Sequence, residues 1–382
     1  MVQDRLSARG GADWYLLSLL ALLKGRAETL LAVGYDDGSL PPSERAGLGK
    51  WVRLKGLERS GLGGRRRLAV VRDFQELAAD FKPEVIHLHN IMDPALLEAA
   101  AGLGRTIMSV QDHRLFCPGL GQVKPDDSLC NRVLGPGCRE CFRQDDYGRR
   151  MIDLTRRRLA QAGSLARLVV LSGYMASQLA AAGVAKERIA ILPPFVYRLK
   201  AWPKKTPGRY HLLAGRLVDR KGLSVALKAR GLMKTALPLI IAGDGTWAKE
   251  LACRADNGVR YVGWADRRRL AALLFGARSL WLPSLWAEPF GIVGLEALAA
   301  GVPVIASEVG GVGEWLTDGM DGCLIPPNQP EELAQAADRL AADAGLARRL
   351  GQAGQSRVEQ DFSPAEIMDR LMEIYEQAAG GR

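Results

Sequence analysis

The chain has 382 residues, 48% of them hydrophobic and 25% charged, values that exclude disordered, collagen-like and disulfide-knot classes. At roughly 100–200 residues per domain, the length calls for two domains, or for one large domain with an insertion. Lys and Arg number 52 against 42 Asp and Glu, a net charge of +10, which favours an anionic partner without choosing among nucleic acid, acidic membrane and phosphorylated substrate.

The opening residues include Asp4, Arg5 and Arg9 ahead of any apolar run, which is unlike a secretory signal. The apolar run at 14–23 is about half the ~20 residues that span a bilayer, so it reads as a buried helix. Six cysteines without a signal point to a reducing cytoplasm. The basic excess is uneven, with 28 basic against 21 acidic residues over 1–195 and 24 against 21 beyond. Its clusters, Arg65-Arg66-Arg67, Arg149-Arg150 and Arg156-Arg157-Arg158, read either as solvated helix faces or as a surface for anionic lipid headgroups.

Short β-rich apolar runs then alternate with helical stretches, the signature of βαβ units around parallel sheets. In the first half the runs lie at 29–35, 68–72, 85–90, 106–112, 168–172 and 189–192. In the second they lie at 210–215, 239–243, 259–263, 279–283, 304–307 and 322–325. Between the sets stand Pro193-Pro194 and the Pro- and Lys-rich stretch 202–208, an interdomain linker by composition. The expected organisation is a domain over 1–195, a linker over 196–208, a second domain over 209–364 and a terminal helix over 365–382. No P-loop and no Gly-x-Gly-x-x-Gly follows a strand, which argues against a kinase-like NTPase or a plain dehydrogenase.

The strongest local signal runs from Trp286 through Glu288-Pro289-Phe290-Gly291-Ile292 to Glu296 and Gly301. It reads as a strand, a loop and a helix start, with Pro289 in the first helical turn. The N–H groups of Phe290, Gly291 and Ile292, with the helix dipole, would seat a diphosphate. Glu296 sits among apolar helical neighbours Ile292, Val293, Ala299 and Ala300; such a carboxylate needs a partner, either the vicinal hydroxyls of a ribose or an internal Arg. Upstream, Gly215-Arg216 to Lys221-Gly222 offers a planar fork and a mobile cation at a strand's carboxyl end. Further along, Gly243-Asp244-Gly245 and Gly263-Trp264 end neighbouring strands.

On these residues the chain resembles glycosyltransferase family 4, also known as glycosyl transferases group 1, retaining enzymes of the GT-B fold. The most specific element is the pair Glu288 and Glu296 with seven residues between; Gly310-Gly311 closes the motif order. The resemblance implies two Rossmann-like, doubly wound parallel-sheet domains facing a cleft, the last helix crossing back to the first domain. It implies a nucleotide-diphosphate sugar as donor, with Arg216 and Lys221 on the diphosphate, Glu288 on the sugar, Glu296 on the ribose, and Gly263 and Trp264 at the base. It implies no catalytic metal and a front-side, retaining transfer. Gly11, in Arg9-Gly10-Gly11-Ala12, resembles the family's loop toward donor phosphate.

Two departures stand out. The family has a strand before the Gly-Gly loop, and here only nine mostly polar residues precede it, so the first strand is expected to be missing. Gln111 also stands where the family commonly has a His that contacts the donor sugar, with His113 two positions on; either could make that contact. In the loop 113–141, Cys117, Cys130, Cys138 and Cys141 are spaced by twelve, seven and two residues, a candidate four-thiolate structural zinc site or a set of free or redox thiols.

The resulting expectation is a cytoplasmic enzyme, peripheral at the inner membrane face. It would transfer a sugar to a glycan or lipid-linked acceptor in cell-surface polysaccharide or glycoconjugate synthesis. The alternative is a non-catalytic nucleotide-sugar-binding relic or scaffold. With no nucleic-acid-binding motif, nucleic acid is not expected as a partner.

Overall fold

A computed structural model describes residues 1–58, 65–126, 128–196, 208–253 and 258–380. Apart from Val196 and Gly208, the expected linker lies outside the described residues, as do the side chains of Arg65 and Arg66. The chain divides into two compact units: unit 1 is Met1–Gln122, Asn131–Pro193 and Ile367–Arg382, and unit 2 is Val123–Cys130 and Pro194–Glu366.

Unit 1 is built on seven parallel strands: β1 (Val2–Leu6), β2 (Leu30–Asp36), β3 (Lys50–Arg53), β4 (Ile86–His89), β5 (Thr106–Val110), β6 (Arg167–Val170) and β7 (Ile189–Ile191), in the order β3-β2-β1-β4-β5-β6-β7. The first strand is therefore present, against expectation. β1 is central and pairs with β2 (Val2 opposite Ala32) and β4 (Val2 opposite Leu88). Its polar composition hid it, because a strand can bury a polar residue that is satisfied locally. Val2 and Leu6 fill the core, while the buried Gln3 amide donates to Arg5 O at 2.7 Å and to Asp13 Oδ1 at 2.8 Å.

The run at 68–72 is also not a strand. It belongs to helix Arg65–Phe81, whose inward face carries Val70 and Phe74, four positions apart, and leaves Leu68 exposed. This is helical rather than alternating periodicity. The apolar run at 14–23 forms helix Gly11–Leu23, with Leu16, Leu19, Leu20 and Leu23 buried. The last helix, Pro364–Gly380, lies in unit 1 from Ile367 onward; its Tyr375 hydroxyl is 2.8 Å from His87 Nδ1, and His87 Nε2 is 2.8 Å from Ser109 Oγ.

Unit 2 holds six parallel strands: β8 (Tyr210–Arg216), β9 (Leu239–Asp244), β10 (Val259–Tyr261), β11 (Ala277–Leu282), β12 (Val304–Ser307) and β13 (Gly322–Ile325), ordered β10-β9-β8-β11-β12-β13. The strand order reverses between β8 and β11. In open parallel sheets, ligands bind outside the carboxyl ends at such a switch point. The strands are continuously apolar where both faces are covered, with Leu212, Leu239, Ile241, Leu280 and Ile305 almost fully buried, as a helix-covered parallel sheet requires. Among the described residues, no helix is long and apolar enough to cross a membrane.

Candidate active site

The carboxyl ends of β8 and β11 bring Lys221 and Glu288 together. After β8, a single turn Asp219–Lys221 ends at Gly222, whose φ of 72° is left-handed and where an added Cβ would lie 1.7 Å from the carbonyl oxygen of Pro283. Only glycine lets the loop press so closely on the end of β11. The backbone locks there, because Leu285 N donates to Arg220 O at 2.9 Å. Gly310 works alike on the other side: its φ is 60°, an added Cβ would stand 2.2 Å from Glu288 O, and Gly311 N donates to that same oxygen at 2.8 Å.

Held this way, Lys221 Nζ lies 2.6 Å from Glu288 Oε1, and the same carboxylate oxygen accepts from the Ser284 hydroxyl. Glu288 is buried and Lys221 mostly so. Burial pushes the Glu288 carboxyl up, but the Lys221 charge, with hydrogen bonds from Lys221, Ser284 and Trp286, outweighs it and holds the group below its ordinary value. Burial pushes the Lys221 ammonium down; Glu288 opposes this, while Arg216 and Arg220 add to it. Arg216 is exposed at the end of β8. Beneath the loop, Arg220 Cζ and Lys221 Nζ each stand 4.9 Å from the Trp286 ring centroid, a cation–π platform that orients both. A cation with one buried counter-ion and two like-charged neighbours is suited to a further anion.

The following helix begins later than the sequence suggests, at Ile292, running Ile292–Ala299. Pro289 is thus not in its first turn. Phe290 is anchored under Trp315, whose Nε1 donates to its carbonyl at 2.5 Å, and Gly291 takes a left-handed φ of 95° as the cap. Of the three residues expected to offer N–H groups, Ile292 is in the helix, Gly291 caps it and Phe290 precedes it. Glu296, in the second turn, is buried; burial raises its carboxyl pKa and Arg267 opposes the shift through its charge and a hydrogen bond from Nη1 to Oε1. In this structure, then, its partner is the internal Arg. Gly243 N donates to Gly263 O at 2.8 Å, and Trp264 next to it is 39% exposed. Gly215 and Gly243 pair where β8 and β9 end.

The remaining expected residues belong to unit 1. Gly11 starts helix Gly11–Leu23, capped by Gly10. His113 opens a turn His113–Leu115, capped by the Asp112 side chain. There it is 1% exposed, with Nε2 3.4 Å from the Tyr174 hydroxyl and its edge toward Phe116. At the same sheet edge, Gln111 is 8% exposed, and both its amide atoms are buried without a partner among the described residues.

Among the described residues no three His, Cys, Asp or Glu gather to hold a metal. Cys117 Sγ instead accepts from Gln122 N at 3.3 Å. In the basic clusters Arg149 pairs with Asp145 and Asp146, Arg156 with Asp153, and the buried Arg158 donates to Met92 O at 2.7 Å. Sequence reasoning missed Asp13, a buried carboxyl behind the Gly-Gly loop pushed up to about 7 by burial; its place three residues after Gly10 was the available signal.

Residues 10–194 match the profile "Glycosyl transferase 4-like domain" and residues 199–357 match "Glycosyl transferases group 1". Glycogen synthase of Mycobacterium tuberculosis is 35% identical over 178 residues, 44% of this chain and 43% of that protein. D-inositol 3-phosphate glycosyltransferase of Paenarthrobacter aurescens is 28% identical over 278 residues, 66% of this chain and 65% of that protein. The chain thus spans less than half the length of the first of these relatives. Two solved structures share the fold: Anabaena HepE in complex with UDP and glucose (TM-score 0.74, 19% identity, 98% of this chain and 99% of that one), and sucrose-phosphate synthase of Thermosynechococcus elongatus (0.73, 20%, 98% of each). With both profiles matched in order and the fold of both units in agreement, the chain belongs to the GT-B glycosyltransferases of the family 4, group 1 type.

Proposed function

We propose that the protein transfers a sugar from a nucleotide-diphosphate donor to a hydroxyl of a glycan or lipid-linked acceptor, with retention at the anomeric carbon. The observation that carries this reading is the Lys221–Glu288 pair at the switch point, with Arg216 beside it. Arg216 and Lys221 bind the diphosphate and stabilise the charge that grows as it leaves, the work a divalent ion does in other enzymes. Glu288, tied to Lys221 and Ser284, accepts hydrogen bonds from the donor sugar's hydroxyls. Glu296 takes the ribose, Gly263 and Trp264 flank the base, and the N–H groups near Phe290, Gly291 and Ile292 face the phosphates.

In the transfer, the bond from the anomeric carbon to the phosphate oxygen breaks and the acceptor oxygen bonds on the same face. The acceptor proton passes to the departing phosphate, so no protein nucleophile is required. In relatives, HepE is described with UDP and glucose, which supports a nucleotide-sugar donor here. The relic reading leaned on a missing first strand and on Gln111 in place of the family's His, and β1 removes the first of these supports. The basic excess of residues 1–195 supports an acceptor met at the cytoplasmic membrane face; sedimentation with anionic but not neutral vesicles, weakened by salt, is the test.

The direct test of function is turnover with a panel of nucleotide sugars. Lys221→Ala and Glu296→Ala should each abolish transfer from the preferred donor; full activity in both removes the reading.

A further inference from the structure

We infer that Arg267 is the positioning residue for Glu296: it holds the buried carboxylate ionised and aimed in the donor-free protein, and withdraws when the nucleotide's vicinal hydroxyls arrive. This rests on the reading of Glu296 as the ribose-binding group.

The two partners differ in freedom. The Glu296 side chain is 10% exposed on helix Ile292–Ala299, whereas that of Arg267 is 42% exposed. Arg267 opens helix Arg267–Gly276 directly after Asp266, which caps Arg269 N, and it lies three residues beyond the exposed Trp264. A half-solvated guanidinium on a long stem can leave and be rehydrated; a short carboxylate in an apolar setting cannot. Arg267 is thus the freer half of the pair and Glu296 the fixed half.

The chemistry requires such a partner. Charge-assisted bonds from ribose hydroxyls need the carboxylate, since a protonated carboxyl accepts fewer and weaker bonds. Burial alone would favour the protonated form. Arg267 is the one charge acting against this among the described residues. On the carboxylate's own helix, Ile292, Val293, Ala299 and Ala300 are uncharged. From the packed helix Ala344–Asp361, Gly351 and Gly354 make the contact and the Gln355 amide donates to Ala299 O; Arg357 is taken by Asp321 and Asp361, while Arg348, Arg349 and Glu359 are exposed. Arg278 of β11 holds the carbonyls of Leu340 and Ala341, β12 carries no charge, and Arg269 is bonded to Val262 O and Trp264 O with Arg268 exposed beside it.

The experiment is calorimetry with whichever of UDP, GDP and ADP binds most tightly and with its 2′,3′-dideoxy counterpart, from about pH 5.5 to 8.5. The affinity ratio of the two isolates the ribose contact. In Arg267→Gln the ratio should be at least that of wild type at the alkaline end, where no guanidinium has to be displaced, and fall as pH drops, starting at higher pH than in wild type and steepening toward about tenfold per pH unit. Arg267→Lys should restore much of it, which a packing role for the guanidinium would not. An Arg267→Gln ratio that follows wild type throughout overturns the inference while leaving the ribose reading intact. A Glu296→Gln protein that keeps the wild-type ratio at every pH overturns the ribose reading itself, and the inference falls with it.

Discussion

Lys221 Nζ and Glu288 Oε1 lie 2.6 Å apart, though the loops that carry them are 67 residues apart in sequence. The pair exists because Gly222 and Gly310 let two loops approach more closely than any side chain would permit. It is buried on the Glu288 side, so its two halves are not interchangeable.

Lys221→Ala should therefore destabilise the protein as well as silence it. Removing one partner of a buried pair leaves an uncompensated charge, at a cost of about 3–5 kcal/mol. Glu288 has a lowered native pKa, so the stability it contributes is present above its unfolded pKa and is lost as pH falls through the native one. Denaturant unfolding at neutral and mildly acidic pH measures this: the gap between wild type and Lys221→Ala should narrow with acidification. A gap that does not change with pH would mean the pair is worth little to the fold.

Gln111 predicts the opposite balance. Its buried amide has no partner among the described residues, and such a group costs about 1–3 kcal/mol. Gln111→Leu should raise the thermal midpoint while cutting transfer at least severalfold, because a group kept at a stability cost is kept for a ligand. A lower midpoint with unchanged turnover would make the amide structural.

Asp13 gives a pH signature to unit 1. Its carboxyl has a native value pushed from 3.8 up to about 7 by burial. The native state therefore binds the proton more tightly than the unfolded chain, and stability falls as pH rises from about 4 to 7, by ~4 kcal/mol in total if no other group compensates. In Asp13→Asn this slope should vanish, as read from unfolding free energies across that range. Parallel profiles for wild type and variant would show that the carboxyl titrates normally.

Tyr375→Phe tests how the terminal helix is fastened. The hydroxyl bonds His87 Nδ1 at 2.8 Å, and that ring is in turn bonded to Ser109. Losing the hydroxyl strands a buried imidazole nitrogen, at about 1–3 kcal/mol, and should speed hydrogen exchange over residues 367–380 first. Unchanged exchange there would mean apolar packing alone holds the helix.

Much of this was legible from residue order. Eleven of the twelve apolar runs lie on strands of the two sheets, because a strand covered on both faces must be apolar along its length. The run at 68–72 was misread because a short apolar stretch does not by itself separate helix from strand, and other features were hidden by burial of polar residues. β1 was overlooked because Gln3 finds Asp13 and the Arg5 carbonyl, and the burial of His113 follows from a turn after Asp112 that leaves no mark in composition.

By itself the sequence determined the βαβ order, the glycines at tight loops and the identity of the cations and carboxylates, because these depend on local periodicity and on residue chemistry. Only the tertiary structure decided which of them meet. It paired Lys221 with Glu288 and Glu296 with Arg267, and drew His113 into the core. The physical reason is that burial and partnership are properties of neighbours distant in sequence, and it is these that set whether a charge is held, shared or left for a ligand.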